Sequence, residues 1–332
     1  MQPKAGSLNN LVFTEETIVE PGGGEVQVDV RAIGLNFADI FAIAGLYGAT
    51  PSGSFVPGLE YSGLIRALGP GVEGLKVGDR VMGVTRFGGY ASIINIRPAY
   101  LLPLPDNWSF EYGAAYPVQA LTAYYALFVL GNVKPGDTVL IHSAAGGVGI
   151  WANRMARAAG AYTIGSVGSE SKLALLDSEG YDTGFVRGSD FAANLKEALR
   201  GRELNIVLEC IGGRVLMDSY KAMAPEGRLI VYGSAHYNKP GDKPNYLRLW
   251  WKYRNRPLLD PQRMIEQNKS VMGFNLIYLY ERSERFAEYS ARLAAMNLGE
   301  PMIGHNFKFD EMKEALRLFQ SGKTTGKVVV RV

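Results

Sequence analysis

The 332-residue chain contains one cysteine, Cys210, so no intramolecular disulfide forms and no Cys-rich metal site exists. Cys210 ends the apolar run "LNIVLEC" and is read as a buried core thiol, which fits a reducing, cytoplasmic setting. No apolar run approaches the roughly 18 residues of a transmembrane helix, and no charged-then-apolar leader opens the chain. Neither secretion nor a membrane span is therefore expected. A net charge of +3 is too mild to imply a nucleic-acid partner. Internal repeats and low-complexity tails are also missing.

Glycine, in contrast, is abundant: 40 residues with no G-x-y period, which points to many turns and close backbone approaches. Hydrophobic residues make up 47% of the chain, enough for the cores of two domains.

Between Gly24 and about Leu104 the sequence runs in short β-rich stretches, such as "EVQVDVRAIGL" and "DRVMGVT", cut by "PGGG", "LGPGVEG" and "KVGD". These predict a compact, mostly antiparallel β-domain. From Ser109, a capping residue, apolar residues recur at helical spacing to Gly131. Strand and helix then alternate from "DTVLIHS" to "GRLIVYG", the pattern of a doubly wound parallel sheet in an α/β chain. "SVMGFNLIYL" reads as one more strand, followed by a helix near Arg285 to Met296 and a final hairpin-like segment that returns to the β-domain. The expected units are 1–112 with 276–332, and 113–275.

"IHSAAGGVG" lies between a strand and a helix, the context a dinucleotide-binding turn requires, although Ala144 replaces the first glycine of G-x-G-x-x-G. Ala145, Gly146, Gly147, Val148 and Gly149 would meet a pyrophosphate at the helix N-terminus. A tight packing bend is the competing reading. At the end of the next strand, Ser166 and Gly168 stand where NAD enzymes carry an acid, and Ser169, Lys172 and Arg187 offer donors for a 2′-phosphate. NADPH is the expected cofactor.

The chain as a whole resembles the medium-chain dehydrogenase/reductase superfamily, in its zinc-free, quinone-reductase-like arm. "GLNFADIFAIAGLYG", "PGLEYSGLIRALGPGVEGLKVGDRVMG", "LTAYYAL", "VKPGDTVLIHSAAGGVG", "GRLIVYG" and "GKTTGKVVV" carry the resemblance in the family's order. It implies a GroES-like catalytic domain beside a Rossmann cofactor domain. "YGSAHYNKPGDKP" and "LWWKYRNRP" are similar to the vesicle amine transport protein branch. "GSLNNLVF" resembles the start of enoyl reductase domains in modular polyketide synthases of the curacin and jamaicamide type, so Met1 is read as the start of an excised domain. Zinc-dependent members bind their metal through Cys and His. Asn36 stands in the corresponding loop, and Leu59 precedes Glu60 where a histidine would be, so no metal is expected.

The activity implied is NADPH-dependent reduction of an α,β-unsaturated acyl thioester, with hydride delivered to the β-carbon and charge moving onto the carbonyl. By resemblance, Asn36, Thr122, Phe274 and Asn275 position the nicotinamide, with Ile211, Tyr232, Gly233 and Ser234 at the same crevice. Phe41, Trp250 and Trp251 line the substrate. Two usual proton donors are missing, since Ser234 stands in place of a lysine and Phe41 in place of a tyrosine. Tyr47 is the candidate donor and His236 the other titratable group nearby. Slow protonation of a substrate with a γ-chloro group would allow closure of a cyclopropane.

Tyr246 to Pro261, "YLRLWWKYRNRPLLDP", interleaves aromatic and basic residues and is expected to form a helix over the substrate mouth. Its basic face suits an acyl carrier protein or a phosphopantetheine phosphate, and neighbouring polyketide synthase domains are possible partners. Two rival functions stay open: an NADPH quinone oxidoreductase, and a non-catalytic NADPH-binding interaction protein. Monomer and homodimer are both compatible, with "KSVMGFNLIYL" as the edge a dimer would pair.

Overall fold

The computed structural model describes residues 1–332. In "VQVDVRAIG" the valines alternate with polar residues, and the run forms β1, Val26–Gly34, with Val26, Val28 and Val30 buried. There follow α1 (Phe37–Ile43), β2 (Glu60–Leu68), β3 (Arg80–Val84), β4 (Ile93–Ile96) and β5 (Leu101–Pro103). Ser109 Oγ accepts from Tyr112 N–H and caps α2, Phe110–Ala114. The helix expected to run on to Gly131 is instead broken. Pro117 cannot continue α2, so a new helix, α3 (Pro117–Tyr124), starts at it and loosens into a π-helical stretch, Tyr125–Leu130.

The second half alternates strictly. β6 (Thr138–His142), α4 (Gly147–Ala158), β7 (Tyr162–Val167), α5 (Leu173–Ser178), β8 (Thr183–Val186) and α6 (Phe191–Leu199) are followed by β9 (Leu204–Glu209), α7 (Gly213–Ala222) and β10 (Met223–Val231). Then come α8 (Tyr246–Arg254), α9 (Pro261–Gln267), β11 (Ser270–Gly273), α10 (Leu276–Leu279) and α11 (Ser283–Ala295). The chain ends in β12 (Ile303–Lys308), α12 (Met312–Gln320) and β13 (Lys327–Arg331).

Two sheets result. The first has the order β12-β13-β1-β2-β3-β5, with β4 also on β1, and is antiparallel except for β12 against β13. The second, β11-β10-β9-β6-β7-β8, is parallel throughout. This is a doubly wound Rossmann sheet beside a GroES-like β-unit.

Two sequence readings need correction. "SVMGFNLIYL" is a strand only to Gly273: its partner β10 stops at Val231, and after Phe274 N–H bonds Val231 O the chain turns into α10. The terminal segment is no hairpin, because α12 buries Met312, Ala315 and Leu316 and serves as the crossover that makes β12 and β13 parallel. No helix is long and apolar enough to cross a membrane.

Candidate functional site

After β6 the chain passes through Ser143, at φ +51°, into a helix whose N-cap is Gly146. A Cβ at Gly149 would sit 2.6 Å from the carbonyl oxygens of Ser143 and Ala144, so only glycine lets α4 begin this close to its strand. Tyr181 Oη braces the turn by donating to Gly149 O at 2.8 Å. The first N–H groups of α4 have no intrahelical acceptor and form its positive end. Ala145 to Gly149 all line a cavity of about 1290 Å³, larger than the roughly 300–1,000 Å³ of a pocket for one drug-sized ligand.

At one end of the cavity Val167, Gly168, Lys172 and Arg187 form the wall. Lys172 Nζ donates to the carbonyls of Gly322 and Thr324, both at 2.7 Å, which fixes the ammonium there. Burial, then the charge of Arg187, lowers its pKa. Lys172, after β7, and Arg187, after β8, bring two cations to this end of the cavity.

Ser166 and Ser169 do not join them. Ser166 is fully buried in β7, where its Oγ meets His142 Nδ1 at 2.6 Å and receives Arg187 Nη1 at 3.2 Å. Its side chain is held by His142 and Arg187 and is not part of the cavity lining, which Val167 and Gly168 reach. Ser169 Oγ pairs with Ser171 Oγ at 3.0 Å, outside the lining.

The group behind Ser166 sets a pH dependence. Burial, then Arg187, pushes His142 down to about 3, so it is neutral and its 3.7 Å approach to Glu209 is not an ion pair. An unfolded histidine titrates near 6.5, so as pH falls from there the unfolded chain takes up a proton that the folded one refuses. The resulting loss of stability is about 1.4 kcal/mol per pH unit. Asp39, raised by burial to about 7, acts in the opposite sense over much of this range, so the contrast with a variant is the readout. His142→Gln should gain about 2 kcal/mol relative to wild type between pH 7 and pH 5 in urea unfolding. A difference that ignores pH would show that His142 titrates normally.

At the other end stands a buried cluster. Asn36 Nδ2 donates to Glu60 Oε1 at 2.9 Å and to Gly34 O at 3.2 Å. Its Oδ1 receives Gln119 Nε2 and Lys327 Nζ, each at 3.1 Å. Lys327 forms an ion pair with Glu60, and Val118 N–H donates to the other carboxylate oxygen at 2.9 Å. Burial lowers the Lys327 pKa, opposed by Glu60. Asp39 Oδ2, below the cluster, accepts from Asn36 N–H at 2.8 Å and Tyr90 Oη at 2.9 Å. Gln119, Glu60 and Lys327 were not anticipated as site residues.

Tyr47 Oη donates to Asn275 Oδ1 at 2.8 Å, linking the loop after α1 to the segment after β11. Burial pushes the Tyr47 phenol up to about 12, so the hydroxyl is protonated at neutral pH. Phe41, Thr122, Ile211, Tyr232, Gly233, Ser234, Phe274 and Trp250 also line the cavity. Tyr232 stacks on Phe274 with ring centres 6.1 Å apart.

His236 and Trp251 lie elsewhere. His236 is wedged over Gly212, where a Cβ would come within 2.2 Å of Nδ1, and that nitrogen is engaged by Ile211 O at 2.8 Å. Trp251 is 61% exposed on the outer side of α8, because one helical step turns it away from the cavity that Trp250 reaches.

Residues 22–106 match the family described as "Alcohol dehydrogenase GroES-like domain", and residues 147–295 that described as "Zinc-binding dehydrogenase". The chain is 34% identical over 317 residues to the Rattus norvegicus "Synaptic vesicle membrane protein VAT-1 homolog", across 93% of this chain and 77% of that protein. It is 31% identical to the quinone oxidoreductase of Thermus thermophilus, solved also with NADPH, at a TM-score of 0.77 over 96% of this chain and 95% of that one. The chain belongs to the medium-chain dehydrogenase/reductase family, in its quinone oxidoreductase-like branch. Another similar member is CurK enoyl reductase, at 28% identity and a TM-score of 0.83, covering 99% of this chain and 97% of that one. In this medium-chain reductase no three His, Cys, Asp or Glu side chains are grouped to hold a metal ion.

Proposed function

We propose that this oxidoreductase uses NADPH to reduce the C=C bond of an α,β-unsaturated acyl thioester, with 113–275 as the cofactor unit and 1–112 with 276–332 as the catalytic unit. The observation that carries the reading is that the glycine turn, the Lys172–Arg187 pair and the Tyr47–Asn275 bond all open on one cavity.

The residues fit the cofactor. Gly146 lets a pyrophosphate approach the backbone, Gly149 lets α4 start against its strand, Lys172 and Arg187 meet the 2′-phosphate, and Gln119 Oε1 is buried without a partner beside Gly147. When bound, NADPH supplies the hydride. Thr122, Tyr232 and Phe274 shape the wall of the nicotinamide end, while Asn36, held on both sides of its amide, keeps a fixed orientation there. Phe41, Leu46, Leu276 and Trp250 supply an apolar lining that excludes water from an acyl chain. Tyr47 holds a proton at Oη, hydrogen-bonded to Asn275, and delivers it to the α-carbon.

Tyr47→Phe should lower kcat by about 100-fold with an enoyl thioester and leave NADPH affinity unchanged. Steady-state rates and a fluorescence titration check this. An unchanged kcat would remove Tyr47 from the chemistry and return the role of donor to solvent. Mass analysis of products from a γ-chlorinated thioester separates protonation from ring closure: saturated chloro-product alone rejects the latter.

α8, whose Trp250 and Tyr253 reach the cavity, bears Arg248, Lys252 and Arg254 and exposes Leu247 and Trp251. This face suits an acidic acyl carrier protein delivering the thioester. Turnover of a carrier-bound substrate should exceed that of its small thioester at low salt, and equal rates would reject docking.

A quinone is the second reading, supported by the aromatic lining of Phe41, Trp250 and Tyr253, which suits a flat ring.

A further inference from the structure

Lys327 has surroundings that its place in a run of valines conceals. It is 2% exposed, yet it lines the same cavity as Asn36. Its stem packs where Gly34 leaves room: a Cβ there would lie 2.7 Å from Lys327 Cε and 2.9 Å from Glu60 Cγ.

Around Asn36 each hydrogen-bonding position has a partner. The amide nitrogen gives to Gly34 and Glu60, and the oxygen receives Gln119 and Lys327. An amide held in this way neither flips nor tilts. The same residues reach the glycine turn. Gly326, the residue before Lys327, donates its N–H to Ala145 O at 2.8 Å, and a Cβ at Gly147 would lie 2.7 Å from Gln119 Oε1. Lys327, Glu60 and Gln119 therefore form a buried wedge between the pyrophosphate turn and Asn36.

We infer that Lys327, paired with Glu60, is a positioning residue that registers Asn36 against the dinucleotide turn. The inference rests on the reading that NADPH occupies that turn. A misplacement of about 1 Å at such a contact costs on the order of 100-fold in rate.

Replacing only Lys327 leaves a buried carboxylate unpaired, so a loss of stability must be separated from a loss of position. Replacing both partners removes the unpaired charge, and Glu60→Gln keeps a carbonyl acceptor for the Asn36 and Val118 N–H groups. The test uses two paired variants, Lys327→Met with Glu60→Leu and Lys327→Gln with Glu60→Gln, scoring whichever melts closer to wild type. If neither folds, Lys327→Met is assayed cold with folding verified by near-UV circular dichroism. The readouts are the melting temperature, kcat and KM for both an enoyl thioester and a naphthoquinone, and the NADPH dissociation constant.

The expected result is a folded protein whose kcat is about 100-fold lower with KM nearly unchanged. Recovery of kcat together with the melting temperature would overturn the inference and make the pair purely structural. A wild type active on the quinone alone overturns the thioester reading while still testing Lys327. A wild type silent with both acceptors overturns the functional reading on which the inference rests.

Discussion

Gly149→Val raises the NADPH dissociation constant by at least about 100-fold while leaving a folded protein. The added Cβ would stand 2.6 Å from the backbone oxygens of Ser143 and Ala144, and no side-chain rotation relieves a clash with main chain. Tyr181 Oη, which bonds Gly149 O and Ala144 O, holds the two sides of the turn together and opposes their separation. Relief requires α4 to slide off its strand, at about 1–3 kcal/mol of stability. The displaced N–H groups then lose charge-assisted bonds worth about 1.5–3 kcal/mol each, so losing two raises the dissociation constant by at least about 100-fold. Fluorescence titration with NADPH and a thermal melt measure both effects. An unchanged dissociation constant would show that the glycine turn is only a packing bend.

The second large effect concerns the choice between phosphorylated and unphosphorylated cofactor. Lys172 is anchored by the carbonyls of Gly322 and Thr324, and beside it a Cβ at Gly168 would be 3.5 Å from Arg187 Nη2. Lys172→Ala should raise the NADPH dissociation constant about 10–100-fold, the equivalent of one charge-assisted bond to a phosphate. NADH, lacking the 2′-phosphate, should change far less. Equal weakening of both cofactors would show that Lys172 only supports the segment from Gly322 to Thr324.

The parts of the fold that the sequence announced are those built on local periodicity. Alternating valines gave β1, and apolar strands set off by glycine turns gave the parallel sheet. The reading failed where a neighbour decided the outcome. "SVMGFNLIYL" has strand character throughout, but β10 provides a partner only to Val231. Residues near the terminal "GKTTGKVVV" join the first sheet as β12 and β13, made parallel by a helix that packs across them.

That Gly146, Gly149, Lys172 and Arg187 line one cavity was legible for the same reason, since they sit on one strand-turn-helix unit and its successor. Ser166 was misplaced because a β-strand alternates faces, and Val167, one residue on, faces the cavity instead. Asn36, Glu60, Gln119 and Lys327 meet only after the chain has folded, with Lys327 Nζ reaching an Asn36 that is distant in sequence. One signal was present: a lysine opening "KVVV" and a glutamate in "GLEYSG" put charges into strands otherwise apolar. Such charges are rarely buried unless paired.

The central claim is tested most directly by incubating the protein with NADPH and either a crotonyl thioester or a naphthoquinone, following cofactor oxidation and identifying the product. NADPH consumed in step with formation of the saturated butyryl thioester is the predicted result. Quinone reduction without any saturated thioester would contradict the account.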